Sequence, residues 1–145
     1  MAHHLRRRLA CGDHAEPCAD ERQTGAGTVP IRCRAGWLEI YHGVDAQDTY
    51  ALGAVLLDGD DPRVVLARSA EPILRPEAPY ERAGLRSNVV FTCGLIPLDD
   101  EGDRIRVFYG AADSVIAAAD FRVQEIVDSL GPPDSRFGHQ QRFLA

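Results

Sequence analysis

The stretch that decides the fold is residues 36–44, with the sequence GWLEIYHGV. Apolar and polar side chains alternate along most of it, which is the period-two pattern of a β-strand with one buried face. The strand ends in a histidine, His42, beside Gly43. A titratable side chain at the end of a strand is placed to bind a ligand, so His42 is the first candidate site residue.

The same design returns at residues 104–113, RIRVFYGAAD, where a second alternating strand runs into Tyr109, Gly110 and then Asp113. Gly43 and Gly110 lie 67 residues apart (43 to 110). A strand motif that repeats at this spacing predicts blades of a β-propeller, in which equivalent strand ends meet at a central channel. The alternative is an open β-sandwich whose repeats are coincidental.

The rest of the chain favours an all-β fold. Clusters of Asp, Gly and Pro at residues 58–62 and 99–103 predict turns, because these residues supply turn dihedrals and local caps.

Propellers have about four to eight blades, so we expect the chain to be part of a larger protein or to form a homo-oligomer. We divide it into an irregular leader (1–22), a partial propeller of about two blades (23–130) and a C-terminal tail (131–145). The predicted strands are 28–33, 37–42, 50–58, 64–68, 88–98, 105–110 and 115–121, the predicted helix is 123–130, and the predicted packed positions include Ile31, Leu38, Ile40, Val55, Leu57, Val90, Val107 and Ile116.

Composition excludes several classes of protein. With 145 residues, a formal charge of −6 and a pI near 5.3, the chain lacks the basic face that nucleic-acid binding requires. It has no apolar run near the roughly 20 residues that span a bilayer, and no secretory signal, so we expect a cytoplasmic location. The four cysteines lack a Cys-x-x-Cys pair, and we expect free thiols and no metal site. The group His3, His4, Cys11, His14 and Cys18 also lacks the paired spacing of zinc ligands.

A set of motifs follows in order along the chain: GAGTVPI (25–31), GWLEIYHGV (36–44), LGAVLLD (52–58), PIL (72–74), YE (80–81), NVVFTCG (88–94) and YGAAD (109–113). This set resembles the C-terminal part of glycoside hydrolase family 130, over about residues 23–130. The resemblance implies a five-bladed β-propeller. It also implies an enzyme that cleaves β-mannosides with inorganic phosphate as co-substrate and no cofactor, releasing α-mannose 1-phosphate with inversion, although some members are hydrolases.

The resemblance implies roles for three residues: His42 in phosphate binding, and Asp113 and Tyr109 in substrate binding. Family phosphorylases carry a lysine two positions before the Gly-x-Gly turn, where this chain has Gln23, with Arg22 beside it. The family's general acid lies in N-terminal blades, so the resemblance places no catalytic residue in this chain.

Two hypotheses about function stay open at this point. One is a portion of a mannoside phosphorylase or hydrolase that acts on β-mannoside oligosaccharides, and the other is a non-catalytic carbohydrate-binding or interaction module. Trp37 is either a blade-core residue, which its position at a strand start favours, or a platform for a sugar ring. The acidic cluster at residues 58–61 is interpreted as a hairpin turn, because it lacks the spacing of a calcium loop.

Overall fold

Two antiparallel sheets account for most of residues 23–132, the part of the chain that the computed structural model describes. The all-β prediction is therefore confirmed, while the leader at 1–22 and most of the tail (133–145) lie outside the described residues. The elements are β1 (Gln23–Gly25), β2 (Ile31–Cys33), β3 (Gly36–Val44), β4 (Tyr50–Leu57), β5 (Val65–Ser69), α1 (Pro79–Arg82), β6 (Val90–Pro97), β7 (Arg104–Ala111), β8 (Val115–Arg122), α2 (Val123–Ser129) and β9 (Leu130–Gly131).

The first sheet has the strand order β1-β3-β4-β5-β9, and β2 also pairs with β3. The second sheet has the order β6-β7-β8. The predicted helix forms as α2, one residue shorter than expected, and the chain then returns to the first sheet as β9 on the outer side of β5. Neither of the helices in residues 23–132 is long and apolar enough to cross a membrane.

The core lies between the two sheets and is closed by α2. Leu38 and Ile40 of β3 are buried there, as are Val90 of β6 and Val107 of β7, in agreement with the sequence. Ile31 is partly buried and packs against the same cluster. The buried core side chains on β3, β4, β6, β7, α2 and the loop after β5 are Leu38, Ile40, Leu52, Ala54, Ile73, Leu74, Val90, Ile105, Val107, Tyr109, Ala111, Val123 and Ile126.

The predicted packing of Val55, Leu57 and Ile116 was wrong. Leu38 pairs with Leu56 and Ile40 with Ala54, so the register between β3 and β4 turns Leu56 and Ala54 toward the core. Val55 and Leu57 lie on the opposite face and are half-buried. Ile116 pairs with Gly110, whose face points away from the core, and Ile116 is 77% exposed.

The two sheets meet at one end, where β3 finishes at Val44, β4 begins at Tyr50 and β7 finishes at Ala111. A parallel bridge pairs Tyr50 with Val89, just before β6, and the Tyr50 amide donates to the Asn88 carbonyl over 3.0 Å. We call this end the shared edge. Its importance is that the end of β3, which carries His42, and the turn after β7, which carries Asp113, both lie there.

Candidate functional site

A cavity of about 200 Å³ opens at the shared edge, and Asp113 is one of its walls. Its lining combines a carboxylate, a guanidinium, two aromatic rings and one aliphatic side chain. This mixture is typical of a site that forms hydrogen bonds with the polar groups of a ligand and packs against its apolar surface. The lining residues are Tyr50, Arg86, Val89, Phe91 and Asp113.

Asp113 stands at the tip of the hairpin that joins β7 to β8. Ala112 and Asp113 both have left-handed backbone conformations, with φ angles of 50° and 51°. The turn is closed by the Ser114 amide, which donates to the Ala111 carbonyl over 3.0 Å. Left-handed backbone costs a non-glycine residue about 1 kcal/mol or more, so surrounding contacts must hold this turn in place.

Those contacts come from the loop at residues 84–89. The Ala112 amide donates to the Val89 carbonyl over 3.0 Å, and the Arg86 amide donates to the Ala112 carbonyl over 3.1 Å. The Leu85 amide donates to the Ser114 hydroxyl oxygen over 2.9 Å. The loop therefore ties down the turn on both sides of Asp113, while the Asp113 side chain stays exposed.

The loop at residues 84–89 is also held in place by the buried carboxylate of Glu81, a residue of α1 that is 0% exposed. Its Oε2 accepts from the amides of Glu77 (2.6 Å) and Ala78 (2.7 Å), and its Oε1 accepts from the Tyr109 hydroxyl over 2.8 Å. The Val89 amide donates to the Glu81 carbonyl over 3.0 Å. Glu81 thus connects α1, β7 and the start of β6 beneath the turn that carries Asp113.

The predicted role of Tyr109 in substrate binding needs correction. Its side chain is only 2% exposed, and its hydroxyl is occupied by Glu81 inside the core. Burial, together with the bond to Glu81, raises the pKa of Tyr109 far above its ordinary value. Tyr109 supports the loop from below and does not present its hydroxyl to a ligand.

His42 is not among the lining residues of the cavity but contacts one of them, Phe91. Its imidazole is half-buried and stacks on the Phe91 ring with the centroids 4.0 Å apart. Its Nδ1 is 3.5 Å from the Thr92 hydroxyl oxygen, which is the long limit of a hydrogen bond. A Cβ added to Gly25 would come within 2.5 Å of His42 Nε2, so the absence of a side chain at Gly25 makes room for the ring.

Burial lowers the pKa of His42 below its ordinary value. A neutral imidazole at pH 7 has one N–H donor and one acceptor nitrogen. The site therefore offers a hydrogen bond from His42 more readily than a positive charge.

Gln23 lies beside His42, across the pairing of β1 with β3. Gln23 pairs with Val44 and Gly25 pairs with His42. Cross-strand partners share a face, and residues two apart on a strand share a face as well, so Gln23 is placed on the face that carries His42. Gln23 occupies the position at which the family resemblance implies a lysine. It therefore lies next to the His42 imidazole and has an uncharged, exposed side chain. Arg22 lies outside the described residues.

The structure thus brings His42 and Asp113 to one edge, joined through Phe91, although His42 is not a wall of the cavity. Sequence reasoning missed Arg86 and Tyr50, which complete the lining. Phe91 and Val89 lay inside a quoted motif but were given no role. The signal for Arg86 was absent because it lies in a loop of small and charged residues without periodicity.

Trp37 is neither a core residue nor part of this site. It is partly buried at the far end of β3, where its Nε1 donates to the Gly59 carbonyl over 3.2 Å. The Asp58 carboxylate accepts from the amides of Asp60 and Asp61, each over 2.9 Å, which confirms the predicted turn. Of the cysteines within 23–132, Cys33 and Cys93 are free thiols.

No group of three or more His, Cys, Asp or Glu side chains in residues 23–132 is arranged to hold a metal ion. What the described site offers is a carboxylate for hydroxyl groups, aromatic rings for an apolar sugar face, and nitrogen donors from Arg86 and His42. These groups suit a carbohydrate or a sugar phosphate.

The chain belongs to glycoside hydrolase family 130. The sequence model of this family, described as beta-1,4-mannooligosaccharide phosphorylase, matches residues 12–131. The class defined by fold and sequence is therefore that of the mannoside phosphorylases and their relatives.

Among individual proteins, the chain is 44% identical over 111 residues to the beta-1,2-mannobiose phosphorylase of Listeria innocua, covering 77% of this chain and 30% of that protein. The structure of the Listeria enzyme with beta-1,2-mannobiose superimposes with a TM-score of 0.71, covering 77% of this chain and 31% of the other. The 1,2-beta-oligomannan phosphorylase of Thermoanaerobacter sp. is 46% identical over 74% of this chain and 35% of its own length.

A third similarity concerns hydrolases of the same family. The chain superimposes, at 28% identity and a TM-score of 0.61, on a structure described for family members that hydrolyse β-1,2 mannosidic linkages in Candida mannan, covering 70% of this chain and 30% of that one. The chain spans about 30% of the length of the relatives it matches.

Proposed function

We propose that this chain is the C-terminal portion of an inverting β-mannoside phosphorylase and that its two sheets are blades of a five-bladed β-propeller. The observation that carries the proposal is the shared edge, where strand ends from different sheets bring together His42, which contacts Phe91, and Asp113, which lines the same cavity as Phe91. Convergence of strand ends on one site is the arrangement by which a propeller builds a binding site at its channel.

In this proposal Asp113 accepts hydrogen bonds from the hydroxyl groups of the mannose that is transferred. A carboxylate is an acceptor only, so it selects a hydroxyl-rich ligand. Phe91 and Tyr50 line the same cavity and supply flat apolar surface for the pyranose ring. The strained, tied turn under Asp113 fixes the carboxylate before the ligand arrives, which reduces the entropy lost on binding.

His42 donates a hydrogen bond to inorganic phosphate in the same proposal. Because burial lowers its pKa, the imidazole is neutral in the free site, and a bound phosphate favours its protonation. The general acid and the remaining phosphate ligands belong to the part of the relatives that this chain does not span. We therefore assign no catalytic residue within it.

We propose β-1,2-linked mannosides as the substrate class. The Listeria and Thermoanaerobacter phosphorylases, at 44% and 46% identity, both carry this linkage in their names. A cytoplasmic location and assembly with further blades, either of a longer protein or of another copy, complete the proposal.

Hydrolysis is the second candidate reaction, and Gln23 favours it. An uncharged side chain beside His42, in place of the lysine implied by the family resemblance, weakens the binding of a phosphate dianion. The similarity to β-1,2-mannan hydrolases points the same way.

The test transplants residues 23–132 into the Listeria enzyme in place of the matching segment. With β-1,2-mannobiose and phosphate, we expect mannose 1-phosphate to form and its formation to fall at least about 100-fold in Asp113→Asn, since the ligand's hydroxyls lose a charged acceptor. Free mannose released independently of phosphate would establish the hydrolase instead. A folded chimera whose phosphorolysis survives both Asp113→Asn and His42→Ala would contradict the assigned site.

A further inference from the structure

We propose that Arg86 is an anion-binding residue of this site, which holds the phosphate group of a sugar phosphate while Asp113 holds the sugar hydroxyls. Arg86 lines the same cavity as Asp113. The proposal rests on the proposed function and adds to it a residue that neither the sequence nor the family resemblance pointed to.

The first supporting observation is how the Arg86 side chain is held. Its guanidinium carbon lies 5.9 Å from the centre of the Tyr50 ring, on the wall of the cavity. Stacking on an aromatic face orients a guanidinium without using its N–H donors. Those donors are therefore available to a ligand in the cavity.

The second observation is that the Arg86 guanidinium has no charged partner among residues 23–132. Three other arginines in the described part of the chain are neutralised by carboxylates: Arg63 by Asp61, Arg75 by Glu71 and Arg106 by Asp120. Within residues 23–132, the Arg86 guanidinium makes no ion pair or hydrogen bond, although Asp113 lines the same cavity. The cavity thus has an acidic wall and a basic wall.

The third observation is that a hydrogen bond holds the main chain of Arg86 close to the turn that carries Asp113. The Arg86 amide donates to the carbonyl of Ala112, the residue next to Asp113, over 3.1 Å. Both charged groups are therefore built on one hydrogen-bonded unit. A ligand that matches it carries an anionic group and hydroxyl groups on one small framework.

Charge at the neighbouring positions makes Arg86 the suitable anion ligand. Gln23 is uncharged, and burial lowers the pKa of His42, so neither brings a permanent positive charge to the shared edge. A guanidinium stays charged at all physiological pH values, and its planar donors match two phosphate oxygens at once. Arg86 is thus the permanent cation in the described lining of the cavity.

The experiment titrates the ¹⁵N-labelled 145-residue chain with mannose, α-mannose 1-phosphate and inorganic phosphate, followed by NMR. We expect mannose 1-phosphate to bind on the order of tenfold more tightly than mannose, as expected for one charge-assisted hydrogen bond. The Arg86 Nε–H resonance should shift with both phosphate-containing ligands and not with mannose.

Variants separate charge from structure. Arg86→Gln should reduce mannose 1-phosphate to the affinity of mannose and leave mannose binding unchanged, and Arg86→Lys should restore part of the difference. Arg34→Gln removes an exposed arginine from the turn between β2 and β3 as a matched control and should change nothing. If wild type binds the two sugars equally, or Arg86→Gln weakens both alike, the role of Arg86 is refuted and the proposed function stands. If wild type binds neither sugar, the proposed function fails and this inference fails with it.

Discussion

Asp113 and His42 reach the same edge of the molecule but are held there in different ways. The turn under Asp113 is tied by backbone hydrogen bonds to the 84–89 loop, and that loop is anchored on the buried carboxylate of Glu81. His42 is held by packing, with the Phe91 ring on one side and the space above Gly25 on another, and its contact with Thr92 is long.

This difference separates two ways of positioning a binding group. A hydrogen-bonded network around a buried charge is costly to disturb, because each broken bond leaves a polar group unsatisfied in a low-dielectric interior. A packed ring at a half-buried position can move into solvent at smaller cost. We therefore expect the Asp113 side to be stiff and the His42 side to be adjustable.

The largest expected effect is at Glu81. Glu81→Ala leaves the amides of Glu77 and Ala78 and the Tyr109 hydroxyl without their acceptor. We expect a loss of about 3 kcal/mol or more in the free energy of unfolding, measured by urea denaturation. Tyr109→Phe, which removes only the bond from the Tyr109 hydroxyl, should cost about 1.5 to 3 kcal/mol, because its acceptor is charged. Equal, small effects for both variants would show that Glu81 does not anchor the loop.

Two glycines test the comparison directly: Gly84 lies against the turn that carries Asp113, and Gly25 lies against the His42 ring. A Cβ at Gly84 would come within 2.5 Å of the Ala112 carbonyl oxygen, and a Cβ at Gly25 within 2.5 Å of the His42 ring. Backbone held by hydrogen bonds cannot give way, whereas a ring can rotate, so Gly84→Ala should cost about 2 to 3 kcal/mol and Gly25→Ala about 1 kcal/mol.

Gly94→Ala is the control for this pair, since a Cβ there meets no atom within 4 Å. It should leave the free energy of unfolding within about 0.5 kcal/mol of wild type. In Gly25→Ala we also expect the His42 pKa, measured by NMR, to rise toward its ordinary value as the ring moves into water. A larger loss in Gly25→Ala than in Gly84→Ala would reverse the comparison.

Some of the buried positions could be predicted from the sequence, and others could not. Alternation along 36–44 identified β3 and the buried positions Leu38 and Ile40, which are the aliphatic residues of one phase of that strand. In β4 every residue from Ala51 to Leu57 is apolar or glycine, so both phases of the strand fit a buried face. Only the register with β3 decides which side chains are buried.

In the candidate site, too, some residues could be predicted from the sequence and others could not. The sequence predicted His42 and Asp113 as site residues because each lies at the end of a repeated strand motif. Glu81 looks like a surface residue of a short helix, and its burial depends on Tyr109, which lies 28 residues away in sequence. The position of Arg86 depends on the hydrogen bond from its amide to the Ala112 carbonyl. Because this bond joins residues that are far apart in the sequence, no local pattern predicts it.

The smallest expected effect is the pH dependence that His42 contributes. Its folded-state pKa is lowered by burial, so on acidification the unfolded chain takes up the proton first. Stability should therefore fall as the pH drops below about 6.5, the ordinary histidine value. Because the ring is partly exposed, we expect less than about 1 kcal/mol.

Urea denaturation at pH 7.5 and pH 5.5 measures this loss, and His42→Asn should show less of it than wild type. A wild-type loss that is unchanged in His42→Asn would assign it to other groups. A loss that is larger in the variant would mean that the folded state favours protonated His42.

The most direct test of the account is whether the 145-residue chain, purified alone, forms mannose 1-phosphate from β-1,2-mannobiose and inorganic phosphate. We propose that this chain supplies groups that bind, namely His42, Arg86 and Asp113, and no acid to protonate the leaving oxygen. Protonation of that oxygen typically contributes a factor of about 100 to 10,000. We predict no measurable phosphorolysis. Clear turnover that disappears in His42→Ala would contradict the account, because it would show that the active site is complete within this chain.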